Sequence, residues 1–160
     1  MLTDIRRATH SDHAAICCLA EEINSQHYAH SPHVFSAPPG IERDADFWRV
    51  AIDDGEGILL LAVREQRVVG LLRARMLLPA ETPFLRSRAV CHIGTVVVTA
   101  SLQGQGIGKL LLDENERWAR GKAAEEIRLE VFDANGAAIG FYDAAGFGMQ
   151  SHIMTKALVP

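Results

Sequence analysis

The residues best suited to chemistry form a glycine-rich stretch at positions 103–109, Gln-Gly-Gln-Gly-Ile-Gly-Lys. A β-prone run precedes it at 92–98, and an amphipathic, helix-like run follows at 109–119. The first turn of a helix carries unpaired backbone N–H groups and a partial positive charge. Glycine lacks the Cβ atom that would keep a bulky anion at a distance. The stretch therefore predicts a phosphate or pyrophosphate site.

Two common phosphate-binding motifs do not fit this stretch. A Walker A loop needs Gly five residues before the Gly-Lys pair and Ser or Thr after it, but the chain has Gln103 and Leu110 there. In the dinucleotide motif G-x-G-x-x-G, the third glycine would fall on Lys109. The sequence thus argues against a nucleotide-binding P-loop and leaves the pattern Q-x-x-G-x-G.

A second motif follows the strand-like residues 127–131. From Asn135 to Phe147 the chain reads Asn-Gly-Ala-Ala-Ile-Gly-Phe-Tyr-Asp-Ala-Ala-Gly-Phe. Together the two motifs resemble the GCN5-related N-acetyltransferase (GNAT) family, which shows [Q/R]-x-x-G-x-[G/A] and then N-x-x-A-x-x-[FL]-Y-[ED]-x-x-G-F. The resemblance covers residues 57–157 and, more loosely, the first helix.

A length of 160 residues suits one domain, so residues 1–160 are expected to form a single domain of this family. Strands alternating with helices already favour an α/β (α+β) class. The family fold is a twisted, mostly antiparallel mixed sheet of about seven strands flanked by about four helices. Its two central parallel strands separate in a V-shaped splay, and the family binds acetyl-coenzyme A (acetyl-CoA) there.

The resemblance also assigns residues to acetyl-CoA, the co-substrate. From the long strand, the loop and the second motif these are Val96, Val97, Val98, Gln103, Gly104, Gln105, Gly106, Ile107, Gly108, Lys109, Asn135 and Tyr142. The valines fit a purely structural core equally well. Asn135 can both cap its helix and bind the pantetheine arm.

Transfer of an acyl group from a thioester to an amine needs a neutral amine, donors for the carbonyl oxygen and a proton for the leaving thiolate. The resemblance places Tyr142 near the coenzyme sulfur, where a phenol with a pKa of about 10 stays protonated and can donate. Many family members carry Glu or Asp near the positions of Gly94 and Thr95, which cannot accept a proton. His92 is the candidate base, with Glu130, a water chain or capture of a neutral amine as alternatives.

The leading hypothesis is therefore an N-acetyltransferase that moves acetyl from acetyl-CoA to a primary amine by direct attack in a ternary complex. The acceptor is a small-molecule or peptide amine. The alternative is an acetyl-CoA-binding module without transfer activity. The missing acidic residue allows that alternative, whereas the presence of Tyr142 argues against it.

Composition excludes several partner classes. The net charge is −4 with no polybasic run, which argues against nucleic-acid binding. No apolar stretch approaches ~18 residues and no signal pattern opens the chain, so a cytoplasmic protein without a membrane segment is expected. Cys17, Cys18 and Cys91 fit neither a disulfide framework nor a metal motif, and we interpret the first two as core thiols of a helix.

Three further patterns carry expectations. His27, His30 and His33 are evenly spaced, but Pro32 and the lack of nearby carboxylates argue against a metal, so the segment is interpreted as a loop near the acceptor. A helix is expected over 41–53, with Phe47, Trp48 and Ile52 turned inward. The apolar residues 152–159 could pair with a second copy, which predicts a homodimer.

Alternation in the strand expected at 68–78 puts Arg73 and Arg75 on one face. The simplest interpretation is a solvated face, and the alternative is a contact with an acidic acceptor.

Overall fold

Strands form a single mixed sheet in the computed structural model, which describes residues 2–38, 40, 42–78 and 82–158. The strands are β1 (Asp4–Arg7), β2 (Gly57–Arg64), β3 (Arg67–Leu77), β4 (Val90–Val98) and β5 (Glu126–Leu129). They lie in the order β1-β2-β3-β4-β5. The first four pair antiparallel and β5 pairs parallel to β4.

The helices alternate with these strands along the chain. They are α1 (His13–His30), α2 (Ala45–Asp53), α3 (Ile107–Gly121) and α4 (Gly136–Ala144), with short 3-10 turns at His10–Asp12 and Ala100–Leu102. The mixed α/β class and the four helices agree with the expectation from sequence.

The number of strands differs from the expectation. The sheet has five strands within the described residues, not about seven. Residues 147–158, which include most of the apolar segment expected to pair with a second copy, carry no strand. A strand is defined by hydrogen bonds to a neighbour, and in the described part of the chain this segment has no such ladder.

Contacts divide the chain into two compact units, Met1–Glu130 and Val131–Pro160. The first contains the whole sheet with α1, α2 and α3, and the second contains α4. The single domain expected over residues 1–160 stays a prediction.

The sheet of the first unit is covered on both faces. Leu71 of β3 belongs to a core cluster with Ile16 of α1 and Trp48 of α2. The neighbouring residue Gly70 faces the other side of the sheet, where a Cβ added to it would lie 3.3 Å from the Leu111 side chain of α3. Since alternate residues of a strand face opposite sides, α1 and α2 cover one face and α3 the other. Burial on both faces explains the continuous apolar run of β2.

Side-chain placement corrects some expectations. Helix α2 begins at Ala45, and Ile41 lies outside the described residues. Trp48 is buried as expected, but Phe47 is 51% exposed. Cys17 is buried, whereas Cys18 is exposed. The hydrophobic spacing of a short helix defines a face only approximately, so residues at its margin are decided by the neighbouring elements.

Candidate functional site

Among the described residues, the second half of β4 has no strand partner on the side away from β3 and forms an unpaired edge. The parallel pairing with β5 ends where Ile93 faces Leu129, while β4 continues to Val98. At the same point the β3–β4 register shifts, and Gly94 is the extra residue between the pairs Ala74–Ile93 and Arg73–Thr95. A bulge increases the local twist of its strand, so the twist of β4 increases at the point where its pairing with β5 ends.

The backbone N–H and C=O groups of β4 point alternately to its two neighbouring sides in the sheet. Thr99 donates its N–H to the Val69 carbonyl at 2.9 Å. In an antiparallel pair, every second residue of a strand forms its backbone hydrogen bonds with the same neighbouring strand. The N–H and C=O groups of Val97 therefore also face β3. Those of Val96 and Val98 face the unpaired edge. The Val97 side chain is buried in the core under α1 and α2. Among the predicted valines, Val96 and Val98 therefore direct their backbone groups to this edge, where the Val98 carbonyl already accepts a hydrogen bond from Gln103 Nε2.

The glycine-rich loop adopts backbone geometry that depends on glycine. Gly104 has a φ of 74° and Gly106 a φ of 81°, in the left-handed region that side chains with a Cβ rarely adopt. Apart from the adjoining residues, no atom of the described chain lies within 4 Å of a Cβ built at either position, so backbone conformation, not space, requires glycine. Leu110 donates to the Gly106 carbonyl at 3.1 Å, and α3 starts directly after Gly106.

The loop presents its amides as free donors. Within the ranges that the structure describes, no acceptor takes the backbone N–H groups of residues 104–109. They stand at the N-terminus of the 15-residue helix α3, where the helix dipole favours an anion. A row of donors of this kind fits a pyrophosphate.

The side chains of the loop are held by the protein. Gln103 Nε2 donates to the Val98 carbonyl at 3.1 Å, which ties the loop to the end of β4. Gln105 Oε1 accepts from Arg64 Nη1 at 2.8 Å, and Lys109 Nζ contacts Asp113 at 2.7 Å. The arrangement leaves anion binding to the backbone and places the Arg64 guanidinium beside the loop.

Helix α1 also fixes the start of the loop. Glu22 Oε1 accepts the Ala100 N–H at 2.7 Å, although the two residues are 78 positions apart in the chain. Sequence reasoning missed both Glu22 and Arg64. No local pattern identifies such a contact, because it depends on how α1 packs on the sheet.

The candidate bases lie near the point where the pairing of β4 with β5 ends. His92 is partly exposed and sits in register between Arg75 of β3 and Arg128 of β5. Glu130 is exposed and follows β5 directly. The side chains of His92 and Glu130 form no hydrogen bond or ion pair within the described residues.

The second unit contains the other predicted site residues. Asn135 Oδ1 accepts the Ala138 N–H at 3.1 Å, which confirms the expected cap of α4. The Tyr142 ring contacts Phe141 and Phe147, with centroid distances of 5.1 and 5.7 Å. Burial raises the pKa of the Tyr142 phenol, so it remains a proton donor at neutral pH.

The histidine segment is partly helical. His27 and His30 lie in the last turn of α1, where His27 stacks on Phe35 at 4.6 Å and His30 contacts the Gln26 carbonyl. Burial lowers the pKa of His27. Among the described residues no group of three or more His, Cys, Asp or Glu side chains could hold a metal ion. Across all the residues that the structure describes, no helix is long and apolar enough to cross a membrane.

Solved structures with this fold cover almost the whole chain. A mutant of the BH1408 protein from Bacillus halodurans is 21% identical, with a TM-score of 0.91, 98% of this chain covered and 99% of that one. The aminoglycoside N-acetyltransferase AAC(6')-Iy in complex with CoA is 15% identical, with a TM-score of 0.77 and coverage of 98% and 94%. A transcriptional regulator from Bacillus halodurans C-125 is 19% identical, with a TM-score of 0.74 and coverage of 98% and 100%.

A search of curated proteins found no match. A family model described as the Acetyltransferase (GNAT) family matches residues 13–147, which include the open edge of β4, the glycine-rich loop and the segment of Asn135 and Tyr142. This chain belongs to the GNAT acetyltransferase family.

Proposed function

We propose that this protein transfers the acetyl group of acetyl-CoA to a primary amine by direct attack in a ternary complex. The observation that carries the proposal is the row of free amides at residues 104–109 beside the unpaired edge of β4. An anion-binding helix start next to an open strand edge suits a ligand with a pyrophosphate and an amide-containing arm. Membership in the acetyltransferase family supports the same activity.

The binding roles follow from these backbone groups. The loop amides, from Gly104 to Lys109, bind the pyrophosphate, and Gln103 keeps the loop against β4. The backbone groups of Val96 and the N–H of Val98 bind the pantetheine arm and the thioester carbonyl, where a fixed N–H donor stabilises developing negative charge. Asn135 caps α4 and is proposed to contact the same arm.

The chemistry requires two proton movements. Acetyl-CoA supplies an activated acetyl thioester. The neutral amine nitrogen forms a bond to the acetyl carbon as the carbon–sulfur bond breaks, and the thiolate takes a proton from the Tyr142 hydroxyl. His92 accepts the proton that the amine loses, with Glu130 or capture of an already neutral amine as alternatives. If His92→Gln leaves the acidic limb of the kcat/KM pH profile in place, His92 is not the base.

The acceptor is proposed to be a small-molecule or peptide amine. Among proteins of the same fold, AAC(6')-Iy is named an aminoglycoside N-acetyltransferase, which makes aminoglycosides one class to test. A binding module without transfer activity is the competing function. Gly94 and Thr95 leave the middle of β4 without a carboxylate, and one protein of this fold is named a transcriptional regulator.

A turnover assay separates the two functions. Purified protein is mixed with acetyl-CoA and a panel of primary amines, and free thiol release is followed together with calorimetric acetyl-CoA affinity. We expect amine-dependent thiol release well above the rate without acceptor. Tight coenzyme binding without amine-dependent release across the panel would favour the binding module, and no coenzyme binding would refute both.

A further inference from the structure

Arg73 carries a positive charge that the protein does not neutralise. Its guanidinium is partly buried and forms neither a hydrogen bond nor an ion pair within the described residues. Arg75, two residues later on the same face, lies 3.8 Å from Asp54 and is more exposed. Burial lowers the pKa of Arg73, and Asp54 only partly opposes that effect. A charge removed from water without a partner is costly, so the site favours an incoming anion.

The position of Arg73 connects it to the proposed reaction site. Arg73 pairs with Thr95 of β4 directly after the bulge, and its Nη1 lies 3.7 Å from the place where a Gly94 Cβ would stand. A strand residue opposite Thr95 shares its face of the sheet. The guanidinium therefore lies at the start of the open segment of β4, on the face covered by α1 and α2.

An aromatic contact holds the side chain there. The Arg73 guanidinium carbon lies 4.9 Å from the centroid of the Phe47 ring. Phe47 in turn meets Trp48 edge to face, with centroids 5.0 Å apart, and Trp48 is buried in the core. A cation–π contact positions the guanidinium but leaves its N–H donors available, because the ring face does not accept them as a carboxylate would.

We propose that Arg73 binds a carboxylate of the acceptor, so that the substrates of this enzyme are amines that also carry a carboxylate. The inference rests on the proposed function and names the substrate class of the same site. A guanidinium presents two parallel N–H donors to the two oxygens of a carboxylate, and this geometry also orients the ligand. Orientation matters because the amine has to approach the acetyl carbon.

The same charge disfavours polycationic acceptors. Arg73 and Arg75 present positive charge on one face, and the carboxylate of Asp54 is already beside Arg75. Gly94 and Thr95 provide no carboxylate on β4 that would attract a second ammonium group. A polyamine or aminoglycoside brings additional cations into this region and would meet like charge at short range.

Matched acceptors test the proposal. Pairs of ω-amino acids and amino alcohols of equal chain length, for example 4-aminobutanoate and 4-amino-1-butanol, differ in the carboxylate. The quantity measured is kcat/KM for thiol release, with spermidine as a polycationic arm. We expect at least about tenfold preference for the amino acid in the best pair and poor use of spermidine. Equal use of both members of every pair, or a preference for spermidine, would overturn the proposal.

Variants assign the preference to Arg73. Arg73→Gln should remove the preference by lowering kcat/KM for the amino acid about tenfold or more while leaving the amino alcohol nearly unchanged. Arg73→Lys keeps the charge and should retain part of the preference. Arg75→Gln is the matched control on the same strand and face and should leave the preference intact. Circular dichroism and acetyl-CoA affinity establish that each variant is folded.

The two proposals fail in different ways. Absence of coenzyme binding and of transfer to any amine would refute the proposed function itself. Transfer that proceeds normally, with a preference that is absent or survives in Arg73→Gln, would refute the role of Arg73 and leave the acetyltransferase proposal in place.

Discussion

At the scale of single residues, Tyr142 has an environment suited to proton donation. Its ring packs between Phe141 and Phe147, and burial raises the pKa of its phenol. A raised pKa means that the hydroxyl stays protonated through the neutral range. A protonated phenol is an effective donor only to a group as basic as a departing thiolate, which matches the proposed step.

We expect Tyr142→Phe to lower kcat by roughly 10²–10⁴-fold with nearly unchanged acetyl-CoA affinity, because the lost interaction exists mainly in the transition state. The measurement is kcat under conditions where chemistry limits turnover, together with calorimetric affinity. Phe147→Leu is the control, since it alters ring packing without removing a proton and should affect stability more than kcat. Full kcat in Tyr142→Phe would make the tyrosine structural.

At the scale of elements, the loop and α3 form one unit for binding an anion. The positive φ of Gly106 sets the turn that leads into the first amides of α3, which have no acceptor in the described residues. A β-branched residue is strongly disfavoured at such a φ. The loop would have to change its backbone to accept a valine, and the row of donors would lose its alignment.

Gly106→Val should therefore weaken acetyl-CoA binding at least tenfold, or about 1.4 kcal/mol. Calorimetry measures the affinity and far-UV dichroism tests the fold. Gly121→Val, at the other end of α3, where no positive φ is required, is the matched control and should bind normally. Unchanged affinity in a folded Gly106→Val protein would remove the loop from the binding site.

The start of α1 is fixed by a buried carboxylate. Asp12 accepts hydrogen bonds from Arg6 at 2.7 and 2.8 Å and from the Thr9 N–H at 2.9 Å. The Arg6 hydrogen bonds, followed by those of Thr9, hold the pKa of Asp12 well below its usual range, although burial acts in the opposite direction. Because the folded pKa lies below the unfolded one, the stabilisation is complete above about pH 4–5 and is lost as the pH falls toward the folded value.

Asp12→Asn should lower the free energy of unfolding at pH 7 by about 1–2 kcal/mol, a figure reduced for the solvent screening of Arg6. It should also reduce the loss of stability on acidification below about pH 5. Urea unfolding at several pH values measures both effects. Asp46→Asn removes an exposed carboxylate and serves as the control. A wild-type acid dependence in Asp12→Asn would contradict this assignment.

At the scale of the whole molecule, exposed apolar side chains near the C-terminus bear on how the protein assembles. Met149, Ile153, Met154 and Leu158 are exposed, and the segment that carries them forms no strand in the described part of the chain. Exposed apolar residues of this kind are buried efficiently by a second copy. We predict a homodimer formed through this segment.

Light scattering at micromolar concentration should give the mass of a dimer, and Ile153→Lys should shift it toward the monomer. Lys156→Glu, in the same segment, changes charge without removing apolar area and is the control. A monomer mass for the wild-type protein would contradict the prediction.

The sequence alone determined the parts of the site that depend on local backbone rules. Alternating glycines between a β-prone run and an amphipathic run predicted the loop, because positive φ and a free helix start are local properties. The Asn135 cap was predicted for the same reason. The α/β class and the four helices followed from periodicity and resemblance, whereas the sheet has five strands in the described residues and not the expected seven or so.

Only the tertiary structure decided which polar groups have partners. Arg73 and Arg75 look alike in the sequence. In the structure Arg75 lies beside Asp54, whereas Arg73 contacts the Phe47 ring and has no anionic partner among the described residues. Phe47 was expected in the core and is instead exposed. The Glu22–Ala100 contact joins positions far apart in the chain. Such differences arise from packing between distant elements. The spacing of hydrophobic residues along one helix or strand does not show which distant element packs against it.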